Sequence, residues 1–151
     1  INTGTLIGTG MKESQRRAFA AAAAGRAWAY PPGGSCFVSV EDAAKGMLLA
    51  AEKGGRGERY ILGGSNLSFR EYFASIARLA GVRPPRIPFP GPLLPAAGWV
   101  LERFCGIMGR DTGRLAAGFG YFSSEKAVTG LGYAITPLDE VLMDILREMK
   151  G

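Results

Sequence analysis

Histidine is absent from this chain of 151 residues. Its absence removes Ser-His-Asp and Cys-His nucleophilic catalysis, together with the commonest protein metal ligand. Cysteine is scarce. Cys36 and Cys105 stand far apart without C-x-x-C spacing, so they read as small buried hydrophobes and not as a zinc site or a disulfide framework. No block of five or six like charges occurs, and the net charge of +5 is scattered, so no nucleic-acid partner is expected. Long apolar runs are missing too. In GPLLPAAGWVLERFCGIMG, Glu102 and Arg103 interrupt the pattern well short of the roughly 20 residues that span a bilayer. AFAAAAAG is too short for a span and lacks the flanks of a secretory signal. The expectation is a cytoplasmic chain with no membrane span and no metal.

What is present is a 47% hydrophobic composition, enough for one domain over residues 1–151 with a proper core. The first residue is Ile1, which suggests a processed chain or a piece of a longer one. INTGTLIGTG reads as a strand running into a glycine loop, and Lys12 to Gly25 as a helix. AWAYPPGGS reads as a turn, CFVSV as a strand, Glu41 to Lys53 as a helix and ERYILGG as a short buried strand. Ser68 and Glu71 have the S-x-x-E spacing of a capping box, opening a helix that ends at Gly81. The proline-rich stretch after it holds at most an edge strand at Arg86 to Phe89. Helices are expected from Leu94 to Met108 and near Ser124 to Thr129, the latter stopped by Gly130. Thr136 is placed as the cap of a last helix, with Pro137 at its first position. Leu138, Val141, Leu142, Ile145, Leu146 and Met149 give that helix an apolar stripe. The fold class is mixed, helix-rich α/β with few short strands, less than a complete doubly wound sheet.

Candidate chemistry is sparse. GTGMKE has G-x-G without a third glycine or a P-loop ending, and Y-x-x-x-K is absent. In FSSEK, Phe122 stands where the hydroxyl would be needed. Glu41 and Asp42 open a helix at the end of a strand. Two acids there could be an acid/base pair, but no histidine, nucleophile or ligand cluster lies nearby in sequence. Capping of the positive helix end is therefore the expected role. Trp28, Tyr30, Tyr121 and Phe122 fall in loops beside proline or glycine, where aromatics line ligand pockets or pack as satellites. Arg110, Arg114 and Lys126 read as solvated surface cations.

Three stretches, FVSVEDAAKG, GERYILGGSNLSFREYF and SSEKAVTGLGY, occur in an order that resembles the carboxyl-terminal part of extended short-chain dehydrogenases/reductases. The nearest resemblance is to the dihydroflavonol-reductase-like, NAD-dependent epimerase/dehydratase group, including hopanoid-associated sugar epimerases. That resemblance implies a partial Rossmann-like fold, its cofactor loop and Ser/Thr, Tyr and Lys catalytic set lying upstream. It implies NAD or NADP in the full-length parent, with no cofactor bound and no catalysis by this chain alone. Asn2-Thr3 stands where the family usually has Asn-Pro, which would place Thr3 and Leu6 near a cofactor. Ser35 stands where sugar-nucleotide-binding relatives commonly carry an arginine for the diphosphate, and Ser39 where a histidine is usual. The implied function is the substrate-binding part of a reductase or sugar epimerase, with Trp28, Tyr30 and Tyr121 as substrate contacts. A stand-alone binding or interaction domain is the alternative. Without a Rossmann half, Met47, Leu48, Tyr60, Ile61 and Leu62 would lose burial, so a homo-oligomer is expected.

Overall fold

The computed structural model describes residues 1–90 and 118–149. The expected helix from Leu94 to Met108, with Cys105, Arg110 and Arg114, lies outside the described residues. Threonine and isoleucine near the amino terminus build β1 (Asn2–Thr3) and β2 (Thr5–Ile7). There follow α1 (Glu13–Ala23), β3 (Ala29–Tyr30), β4 (Gly34–Ser39), α2 (Val40–Lys53), β5 (Ile61–Leu62) and β6 (Ser65–Ser68). Next come α3 (Phe69–Ala80), β7 (Ile87–Pro88), β8 (Phe119–Gly120), α4 (Glu125–Leu131) and α5 (Leu138–Glu148). The pairs β1/β5, β2/β4, β3/β7 and β4/β8 are all parallel, and β6 joins β4 on the other side from β2. The fold is mixed α/β.

The chain forms two compact units, and it passes between them after Thr9, within β4, within β6 and after Gly120. The first holds, among the described residues, 1–9, 36–66 and 121–149. Its core gathers Tyr60, Leu62, Ala127, Leu131 and Tyr133, with Leu49 and Ala50 of α2 packed against it. Burial of Tyr60 and Leu62 corrects one expectation: α4 and Tyr133 cover this strand within the chain itself. Met47 and Leu48 do stay exposed. Of the predicted α5 stripe, Val141, Leu142, Ile145 and Leu146 are buried and Leu138 partly so, whereas Met149, one residue past the helix, is exposed. The start of α5 differs from the expectation. Leu138 is the first helical residue and Pro137 the cap, because Thr136 spends its hydroxyl elsewhere. The α4 helix runs through Gly130 and ends at Gly132, whose φ of +72° closes it in the left-handed region that favours glycine.

The second unit holds, among the described residues, 10–35, 67–90 and 118–120. Here α1 packs on α3, burying Phe19, Ala22, Tyr72, Ile76 and Ala77. The Ser68–Glu71 capping box forms as expected: Ser68 Oγ accepts from Glu71 N–H at 3.2 Å, and Glu71 Oε2 accepts from Ser68 N–H at 2.9 Å. Gly81 ends α3 in the left-handed conformation. Ala29 and Tyr30, expected in a turn, form β3 because the edge strand at Ile87–Pro88 pairs with them. Trp28 precedes that strand, its ring 6.5 Å from that of Phe89.

Candidate functional site

The two acids after β4 divide their roles. Ser39 caps α2, its hydroxyl accepting from Glu41 N–H at 3.2 Å, so the acids do not cap the helix as expected. Ser39 stands at the N-cap, where a short hydroxyl reaches the amide of the second helical residue, while the acids already lie within the first turn. Glu41 is exposed. Asp42 is buried, 4% exposed, and accepts from Thr136 N–H at 2.7 Å and from Thr136 Oγ–H at 2.8 Å. Both oxygens are thus engaged with a segment 94 residues away. Asp42 ties α2 to the entry of α5.

A second set of long-range bonds surrounds the Gly63-Gly64 turn after β5. Ser124 Oγ accepts from Gly63 N–H at 2.9 Å, Cys36 Sγ from Gly64 N–H at 3.3 Å, and Tyr133 O–H donates to the Gly63 carbonyl at 3.1 Å. A side chain at Gly64 would collide with the Phe37 carbonyl, so only glycine lets the turn approach β4 this closely. Burial pushes the Tyr133 hydroxyl up to about 12, helped by the Asp42 carboxylate and by Cys36. It therefore stays a hydrogen-bond donor at neutral pH. Two residues beyond the turn, Asn66 Nδ2 donates to the Phe122 carbonyl at 2.9 Å and Asn66 Oδ1 accepts from Phe122 N–H at 3.1 Å.

The residues singled out in the sequence fall in three places. Thr3 lies in β1 in register with Leu62, and Leu6 lies in β2 in register with Val38, 37% exposed. Trp28 and Tyr30 lie at β3 in the second unit. Tyr121 lies in the first unit just after β8, next to Phe122, both rings exposed. Lys126 is paired with Glu58 and sits 5.1 Å from the centre of the Tyr60 ring, so it is not merely a solvated cation. The Asp42, Ser124 and Asn66 links have no counterpart in the sequence reading, since nothing near each residue announces a distant partner.

A crease of about 200 Å³ opens at the carboxyl ends of β2 and β4, lined by Gly8, Thr9, Glu41, Thr136, Asp144 and Glu148 among others. That is below the roughly 300–1,000 Å³ typical of small-molecule sites. Among the described residues no three His, Cys, Asp or Glu side chains converge to hold a metal ion, and no helix is long and apolar enough to cross a membrane.

No family-wide sequence profile matches the chain. A protein of Synechocystis sp. named dihydroflavonol 4-reductase is 32% identical over 129 residues, covering 79% of this chain and 38% of that protein. The crystal structure of gox2253 aligns with a TM-score of 0.78 at 32% identity, over 99% of this chain and 48% of that one. A nucleoside-diphosphate-sugar epimerase from Pseudomonas aeruginosa aligns with a TM-score of 0.75 at 26% identity, over 98% and 46%. The fold alone is shared with UDP-glucuronic acid 4-epimerase from Bacillus cereus, solved with UDP-glucuronic acid and NAD (TM-score 0.63, 15% identity, 97% and 44% covered). The chain spans less than half the length of each of these relatives. By sequence and by fold the chain is similar to part of extended short-chain dehydrogenase/reductase proteins of the dihydroflavonol-reductase and epimerase kind.

Proposed function

We propose that residues 1–151 act as the substrate-binding lobe of an NAD(P)-dependent reductase or sugar epimerase/dehydratase, and that they do not catalyse alone. The observation that carries this reading is the 32% identity shared with both the Synechocystis protein and gox2253, the latter over 99% of the chain. The residues present do not make a dinucleotide cradle. The chain lacks G-x-G-x-x-G and Y-x-x-x-K, and its described crease is small. Thr3 and Leu6 are therefore proposed as contacts to NAD or NADP held by other residues of a full-length parent. Trp28, Tyr30 and Tyr121 are proposed as substrate contacts. Exposed Met47 and Leu48 on α2 give an apolar face for association with a second copy.

The test is protein-dependent oxidation of NADH or NADPH with a dihydroflavonol or a 4-keto sugar nucleotide. It is run on the purified chain and on the chain joined to the unmatched part of gox2253. Silence of the chain alone with turnover by the joined protein supports the reading. Robust hydride transfer by the chain alone sinks it. A folded joined protein that binds neither class of substrate favours a stand-alone interaction domain.

A further inference from the structure

We propose that two copies of this chain associate through α2, laid antiparallel against its own counterpart. This rests on the reading of α2 as a face for a second copy, and names how that copy sits. Ala44, Met47, Leu48 and Ala51 are all exposed, Met47 at 44% and Leu48 at 66%. They stand at i, i+3, i+4 and i+7, so they form one apolar stripe along the helix. The opposite side of α2 is already in use. Ala43 and Gly46 are buried there, and Leu49 and Ala50 pack against the core of the first unit. A helix with a second, uncovered apolar face carries the mark of an interaction surface.

The charges beside the stripe select the occupant. Lys45 and Glu52 are spaced by about two helical turns, so they stand along the same edge of the stripe. Both are exposed, and neither joins an ion pair among the described residues. When a second α2 is turned end for end about a twofold axis between Met47 and Leu48, Ala44 meets the second copy's Ala51. Met47 then meets the second copy's Leu48, and the two charged edges lie on the same side of the interface. Lys45 falls opposite the second copy's Glu52, offset along the axis by only about 3 Å, and symmetry repeats the contact. A parallel pair would put the charged edges on opposite sides and lose both contacts. One helix of 14 residues per copy makes a small interface, so the dimer is weak and exchanges rapidly with monomer.

The experiment is sedimentation velocity of the purified chain from low- to high-micromolar concentration, with circular dichroism to verify that each variant keeps its fold. The wild type should show reversible monomer–dimer exchange. Leu48→Glu brings like charges together at the twofold axis and should abolish the dimer over this range. Lys45→Glu and Glu52→Lys should each weaken self-association about tenfold at low salt. An equimolar mixture of those two variants should recover close to wild-type affinity, because each supplies the charge that the other lacks. A strictly monomeric wild type overturns the proposal and leaves the face to the remainder of a full-length parent. A dimer indifferent to Leu48→Glu also overturns it, since another face is then in use. Failure of the mixture to recover overturns the antiparallel register. The substrate-lobe reading is decided separately by turnover of the joined protein: turnover beside a monomeric chain sinks the self-pairing alone, and a charge-swapped dimer beside a silent joined protein sinks the lobe reading alone.

Discussion

The two units are held in different ways. In the second, backbone pairing of β3 with β7 is remote, but several side-chain bonds are local. Glu13 pairs with Arg16 and Arg17 within one turn of α1, Ser68 and Glu71 cap α3, and Gly81 closes it. In the first, the deciding bonds are remote: Asp42 to Thr136, Gly63 to Ser124, Tyr133 to Gly63 and Asn66 to Phe122. Charge divides along the same line. The described part of the second unit carries eight Lys or Arg against two acids, and that of the first carries six against nine. Short helices with good caps can be specified turn by turn. A turn pressed against β4 and the two ends of α4 needs partners from all of them.

The sharpest break in this comparison would come from the core of the first unit. Leu62→Ala removes a side chain that is fully buried among Tyr60, Ala127, Leu131 and Tyr133, and should cost about 2–5 kcal/mol in urea unfolding. A loss below about 1 kcal/mol would mean that this core is not what holds α4.

Asp42→Ala comes next. It strips two charge-assisted bonds from Thr136 and should lower stability by about 1.5–3 kcal/mol. Hydrogen exchange should show extra opening at the start of α5, and none at α3. Ser68→Ala, a local change, should cost about 1 kcal/mol and fray the first turn of α3. Should Ser68→Ala prove the more damaging of the two, the contrast between remote and local bonding is wrong.

The smallest effect concerns acid. Hydrogen bonds from Arg16 and then Arg17 hold the exposed Glu13 carboxyl at about 2, below its ordinary 4.5. A lowered folded value means that the contribution is present above the unfolded value and lost as pH falls toward about 2. Salt screens such exposed pairs. An NMR titration should therefore find a low Glu13 midpoint that rises in 1 M salt. A midpoint near 4.5 at low salt would remove the ion pairs. Glu71, lowered by its bond from the Ser68 hydroxyl, should titrate low with less dependence on salt.

The sequence by itself determined the helices whose signals are local. The Ser68 cap, the Gly81 stop and the apolar stripe of α5 lie within a few residues of what they control, so spacing alone reveals them. The resemblance to short-chain dehydrogenases/reductases was also legible, in the order of three motifs. Only the tertiary structure decided what Asp42, Ser124 and Asn66 do. Their partners lie 94, 61 and 56 residues away, and a carboxylate, hydroxyl or amide carries no mark of a distant partner. Thr136 shows the same competition from the other side. A hydroxyl with the spacing of a local cap binds a buried carboxylate instead, because an unpaired charge in the interior costs more than an uncapped, solvent-reachable helix end.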